Sequence, residues 1–326
     1  MADVPTVSII VPTFARRAQL KRCLDGIVGL AVAEASFEVI VVDDGGPEPL
    51  DVLVASYAER LDVRLIRQSR AGPAAARNVG AAVARGRFLA FIDDDCRPEP
   101  GWLPAMIREL KQDDRRLLGG LVENALTKNP YATASEHISR FVYEYGQMAG
   151  AREPFFTTNN MALAADLFRA IGGFTTAIPS ATAEDKEFCD RWTAHGLALT
   201  HVPTMVVHHA HDLTLAGFLR QHFNYGRGIL TFRLMRRRRT GGPLLPQPLK
   251  FYRELVSSSL RRPSCIRRER LASLDHGQPS SIGRWRLAAL LAVAQLATLA
   301  GALREAVFMW RRPSRASDAD RRPGAT

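Results

Sequence analysis

The 326 residues include 46% hydrophobic and 24% charged side chains, enough to bury a large core, which excludes a disordered chain or one dependent on disulfides. The net charge of +11 belongs to one end: residues 231–326 hold 20 Lys or Arg against 6 Asp or Glu, leaving 24 against 27 in residues 1–230. The near-neutral body lacks a nucleic-acid footprint, whereas the basic end fits a polyanionic surface, either anionic lipid or nucleic acid.

The opening "MADVPTVSIIVPTF" has no basic leader, so its apolar run reads as a strand and not as a secretory signal. Similar runs, "FEVIVV" from Phe37 and "FLAFI" from Phe88, also end in turn-forming or acidic residues, the pattern of buried parallel strands. Between the first two, Leu20, Cys23, Leu24 and Ile27 recur at helical spacing, and "PLDVLVASYAERL" gives a second helix before the strand "VRLIR". This alternation specifies an α/β protein with a doubly wound, mostly parallel sheet, whose ligands sit at the carboxyl ends of the strands. Further on, "GWLPAMIREL" is a helix and "LLGGLV" a strand, while Thr133 to Gly150 is ambiguous. A helix from Ala165 to Ile171 stops at Gly172, and "EDKEFCDRWTAHG" is a helix with an acidic first turn. The body is expected to end near Leu230, with a linker from Met235 in "MRRRRTGGPLLPQP". The units are therefore 1–230 and a basic, mainly helical region at 231–326. Within the latter, Leu287 to Leu303 is 17 residues without a charge, flanked by arginines on both sides. A short span fits, and so does a helix lying on a membrane or packed on the body.

Cys23, Cys96, Cys189 and Cys265 are widely spaced without a CxxC pair, so neither a zinc cage nor a disulfide framework is indicated, and a reducing, cytosolic setting fits. The chemistry gathers at the strand ends. In "FIDDDCRPEP", an extended chain would turn Asp93 and Asp95 to one side and Asp94 to the other, presenting two carboxylates to a hard cation such as Mg2+ or Mn2+. An acidic turn capping the next helix is the alternative. Asp43 and Asp44 in "VVDDGG" suit the NH or hydroxyl groups of a nucleoside, or form an Asp-Gly turn. In "SRAGPAAARNVGAAVARGRF", small residues permit close backbone approach, and Arg77 and Asn78 open a helix able to face an anion.

Together, "VSIIVPTF", "FEVIVVDDG", the stretch from Ala71 to Leu103, "NNMALAADLFRAIGGF" and "AEDKEFCDRWTAHG" resemble the family 2 glycosyltransferases, with the nucleotide-sugar-binding fold called GT-A. The resemblance covers roughly residues 5–230. It implies an inverting enzyme transferring a hexosyl or deoxyhexosyl group from a UDP or dTDP sugar to a saccharide or lipid-linked saccharide. It also implies that Pro12, Thr13, Asp43, Asp44, Gly72, Arg77, Asn78, Asp93 and Asp94 border the donor. Asp93, Asp95 and His208 would hold Mg2+ or Mn2+, and Asp185, beside Glu184, would be the base. The base role makes independent sense, because inversion needs a carboxylate to take the acceptor's proton opposite a stabilised leaving group. At a helix start Asp185 is expected to be held ionised. Asn159 and Asn160 contact sugar or serve as loop residues.

A sugar-phosphate nucleotidyltransferase is disfavoured because "PTFARRAQ" is neither Gly-rich nor lysine-bearing. A non-enzymatic basic adaptor for membrane or nucleic acid would leave the aspartates as turns. The expected setting is the inner face of the cell membrane, reached through an anionic surface, with single addition favoured over polymerisation.

Overall fold

The computed structural model describes residues 4–30, 36–147, 155–178, 182–241, 244, 247, 249–260 and 282–311. Cys265 and the basic residues beyond Arg311 lie outside them. The apolar runs become β1 (Val7–Thr13), β2 (Phe37–Asp43), β3 (Asp62–Arg67) and β4 (Phe88–Phe91), parallel in the order β3-β2-β1-β4. Each inner strand is apolar on both faces because helices cover both. Ile9, Val11, Val39 and Val41 enter one core while Ile10, Ile40 and Val42 enter the other, as a period of two requires.

The helices α1 (Arg17–Val28), α2 (Asp51–Ala55) and α3 (Pro73–Val83) alternate with these strands. Helix α1 buries Leu20, Cys23, Leu24 and Ile27, the expected stripe. Helix α3 comes close to the sheet through Gly80, where a Cβ would stand 2.6 Å from Cγ2 of Ile10. The edge strand β3 is partly exposed, and its Arg64 joins Arg85 in neutralising Glu38, which is fully buried on β2 and also accepts a 2.6 Å bond from the Ser8 hydroxyl.

Beyond β4 come β5 (Cys96–Pro98), α4 (Trp102–Gln112), β6 (Arg116–Asn124), α5 (Pro130–Gln147), β7 (Met161–Ala164), α6 (Ala165–Ile171), α7 (Glu184–Ala194) and β8 (Ala198–His209). They complete an eight-stranded sheet, β3-β2-β1-β4-β7-β6-β8-β5. The far half is mixed, since β7 is antiparallel to both β4 and β6. The ambiguous stretch after Thr133 is therefore helical over most of its length. A register shift between Gly120 and Leu121 on β6 is held by Asn160, whose amide donates to the carbonyls of Leu121 and Met205 at 2.9 and 2.8 Å.

The expected boundary near Leu230 is not where the helices break. Helix α8 (Leu215–Thr240) runs straight through it, capped by the Thr214 hydroxyl and ended by Gly241 at φ 68°. The arginine run taken for a linker is the last turns of this helix, where cations offset the C-terminal dipole. Arg236 and Arg239 also pair with Asp190 and Glu187 of α7. Helices α9 (Leu249–Ser258) and α10 (Arg284–Arg311) follow, and α10 packs with α5 and α8 around Phe218, Leu287 and Leu291. The crossing of α8 and α10 is close because Gly226 faces the Thr298 carbonyl and Gly301 the Phe223 carbonyl, leaving no room for a Cβ at either.

Candidate active site

The three aspartates after β4 are not in extended chain. Cys96 N–H donates to the Asp93 carbonyl at 3.0 Å, closing a turn, so strand alternation does not apply. All three carboxylates border one cavity of about 740 Å³. Asp94 and Asp95 share Arg16, whose Nη1 lies 3.2 and 3.1 Å from them, and Asp94 also accepts a 2.7 Å bond from Thr13. Burial raises Asp94 to about 6, against the pull of Arg16 and Thr13. Burial also acts against ionised Asp95, but His209 and Arg16 outweigh it and hold that carboxyl well below the usual range. Asp93 is taken by Arg77, whose Nη2 donates at 2.6 Å.

Of the expected donor-binding residues, Pro12, Thr13, Asp44, Arg77, Asp93 and Asp94 border the cavity. Asp43 does not: it turns to Arg67 at 2.9 Å and to the Gly46 amide at 2.8 Å. Asp44 faces the cavity edge, with Gln68 and the amides of Ala71 and Gly72 on its carboxylate. Gly72 is thus a backbone donor to Asp44, in the positive-φ conformation (92°) that glycine tolerates. Helix α3 begins at Pro73, so Asn78 lies inside it and not at its opening. Its amide exchanges two hydrogen bonds with the Phe174 backbone, at 2.7 and 2.9 Å, which makes it a clamp between elements and removes it from the donor site.

On the other arm of Arg77, Glu184 is buried and accepts from Nη1 at 3.1 Å, while its Oε2 has no partner. Asp185 receives the Lys186 amide at 2.7 Å. The expectation that the helix start keeps Asp185 ionised is corrected: burial, and then the Glu184 charge, push it up to about 7. Tyr143 on α5 donates to Thr157, which donates to Asn159, bringing Asn159 to the cavity. Asn160 belongs to the sheet framework instead, also accepting from Trp102 Nε1 at 2.8 Å. Among the described residues, the two non-glycines with positive φ are Ala15 and Ala183, each directly before a charged site residue, Arg16 or Glu184.

His208 is corrected as well. Adjacent residues of β8 face opposite sides, and His208 turns to Glu99 at 2.9 Å, off the cavity. His209 faces Asp95 at 3.2 Å; burial works against its proton, yet Asp95 raises its pKa. A carboxylate oxygen of Asp95, a ring nitrogen of His209 and the Cys96 sulfur lie within 4.8 Å of one another. Burial keeps the Cys96 thiol protonated, so Asp95 and His209 are the usable donors, and one oxygen with one imidazole fits a divalent cation. Sequence reasoning missed Arg16 and His209. For Arg16 the signal was an arginine three residues past the first strand's end.

The cavity continues away from the acids between the later helices, along Tyr143, Phe155, Tyr225, Phe251 and Tyr252, with Gln295 and Thr298 of α10 also on its wall.

The sequence profile of Glycosyl transferase family 2 matches residues 8–172, half of the chain. The chain belongs to glycosyl transferase family 2. Glycosyltransferase AglE of Haloferax volcanii is 26% identical over 230 residues, 70% of this chain and 74% of that protein. The pre-mycofactocin glycosyltransferase of Mycobacterium tuberculosis is 28% identical over 229 residues, 68% of this chain but 46% of its own length. A 110-residue segment, 33% of this chain, is 40% identical to 11% of the hyaluronan synthase of Pasteurella multocida. This family 2 glycosyltransferase thus spans half or less of several curated relatives. Its fold is that of the mannosyltransferase PcManGT from Pyrobaculum calidifontis, solved with GDP-Man and Mn2+, at TM-score 0.60 and 18% identity over 91% of this chain and 88% of that one. GalNAc-T7, solved with UDP, GalNAc and Mn2+, superposes at TM-score 0.53 and 14% identity, over 78% of this chain and 55% of its own. The architecture is GT-A. The profile match ends before Glu184, Asp185 and His209, so their roles rest on geometry.

Proposed function

We propose that this family 2 glycosyltransferase inverts the anomeric centre, moving a hexosyl or deoxyhexosyl group from a UDP or dTDP sugar to a hydroxyl of a saccharide or lipid-linked saccharide. The observation that carries this reading is Arg77, which forks between Asp93 at 2.6 Å and Glu184 at 3.1 Å and so joins the acidic turn to the pair holding the base. Asp185, with its carboxyl near 7, takes the proton of the acceptor hydroxyl. Thr13 and Arg16 fix the turn, and Arg77 fixes the distance between the turn and the base. Asp95 and His209, with Asp93 beside them, would hold a divalent cation, and the imidazole favours Mn2+ over Mg2+. Such a cation would supply positive charge to the departing diphosphate. Single displacement needs no covalent enzyme intermediate, and the buried Glu184 is already engaged by Arg77.

The setting that fits is the cytoplasmic face of the cell membrane, given the basic C-terminal region and α10. The test is Asp185→Asn: nucleotide binding, measured by calorimetry with UDP, dTDP and GDP with and without Mn2+, should persist while transfer from the matching sugar nucleotide is lost. Transfer at the unmutated rate sinks the assignment.

A further inference from the structure

Helix α10 has two stripes on opposite sides. The inner one, Leu287, Leu291, Ala294, Gly301 and Glu305, is buried against α5, α8 and α9. The outer one steps by three and four from Trp285, 79% exposed, through Leu296, Leu299 and Leu303 to Trp310, 85% exposed. Between Arg286 and Arg304 the exposed side of this helix carries no charged residue, a length of roughly 25 Å. Among the described residues this helix alone is long and apolar enough to cross a membrane.

Crossing would require the inner stripe to leave its packing. That stripe carries the Arg227–Glu305 pair at 2.8 Å, with Glu305 2% exposed, and the close crossing at Gly226 and Gly301. Opening these contacts would strand a buried carboxylate in hydrocarbon. A second copy of the chain is a poor cover for the outer stripe, because Arg284, Arg286, Arg304 and Arg311 would meet like charges. An anionic leaflet matches every element: apolar residues along the middle, tryptophans at both ends and arginines that reach headgroups.

We infer that α10 lies flat in the interface of an anionic leaflet, its outer stripe in the lipid and its inner side serving as a wall of the catalytic cavity. Gln295 and Thr298 border the cavity. The cavity therefore stands about one helix diameter, ~10 Å, from the lipid. This rests on the glycosyl-transfer reading above and narrows the acceptor to a hydroxyl carried at the membrane surface.

The experiment is flotation of the full chain with phosphatidylcholine vesicles, with and without phosphatidylglycerol. Binding should need the anionic lipid and weaken with salt. Replacing the outer leucines together, Leu296→Ser, Leu299→Ser and Leu303→Ser, should reduce partition roughly a hundredfold with the melting temperature unchanged. Arg284→Glu with Arg286→Glu should reduce it at least roughly thirtyfold and keeps the test alive if the leucine variant misfolds. Alkaline carbonate should strip the bound protein from vesicles. Resistance to carbonate would mean a span and overturns the inference, as does equal binding to neutral vesicles or none to either. Nucleotide calorimetry on the same preparations separates the readings: intact nucleotide binding without vesicle binding sinks only the docking, whereas the converse sinks the transfer reading.

Discussion

Arg77 Nη1 lies 3.1 Å from Oε1 of Glu184, a residue 107 positions away, and both side chains are buried. The other arm of the same guanidinium holds Asp93, so one cation serves two carboxylates from distant parts of the chain. Removing it leaves the buried Glu184 carboxyl without its guanidinium partner. Arg77→Ala should therefore destabilise the fold by about 3 kcal/mol in urea unfolding, and Arg77→Lys should recover little, since an ammonium lacks the planar fork.

The rate should depend on pH through Asp185. Its folded pKa is raised to about 7, mainly by burial and then by Glu184, and only the ionised form is a base. Transfer should therefore rise with pH through about 7 and level off above it. Glu184→Gln removes a charge that raises Asp185, so the rising limb should move to lower pH in a rate profile measured at saturating donor.

His208 and His209 should behave oppositely. His209→Ala should weaken Mn2+-dependent nucleotide binding at least about tenfold in calorimetry, the low end for groups that support a metal site. His208→Ala, which loses contacts with Glu99 and Glu123 off the cavity, should leave that binding unchanged.

Glu38 gives a stability test remote from the cavity. It is fully buried, and burial opposes its charge, but Ser8, Arg85 and Arg64 outweigh that and lower its pKa below 4.5. Its stabilisation is therefore present above the unfolded value and is lost as pH falls below about 4.5. Glu38→Ala should lower stability by about 2 kcal/mol at neutral pH, with a smaller difference from the parent in acid.

The packing of α10 on α8 can be probed at Gly301, where a side chain would meet the Phe223 carbonyl. Gly301→Leu should lower stability by about 2 kcal/mol in thermal or urea unfolding.

The strands and the acids at their ends were legible because continuous apolar runs and clustered like charges each have few physical explanations. What stayed hidden depended on contacts across the chain. The turn closed by Cys96 N–H removes the expected alternation of Asp93 to Asp95 and brings all three to one cavity, and no local spacing announces it. The choice between His208 and His209 is a matter of strand phase, set by where β8 pairs with β5 and β6. Asn78 looked like an anion contact because it follows Arg77, yet the Phe174 backbone, 96 residues on, claims it. The arginine run near Arg236 resembled a linker because its partners, Asp190 and Glu187, sit on another helix.

Helix α8 holds the chain on both sides of the proposed base: Thr182, two residues before Glu184, donates to the Asn224 carbonyl at 3.1 Å, and Arg236 grips Asp190 of α7 at 3.1 Å. It acts as a brace across the catalytic helix, and its other flank carries α10. A protein shortened to residue 230 would be cut in the middle of that brace. The C-terminal region is then not a detachable anchor: α10 packs on α8, and α8 is tied by Arg236 to the helix that opens with Glu184 and Asp185.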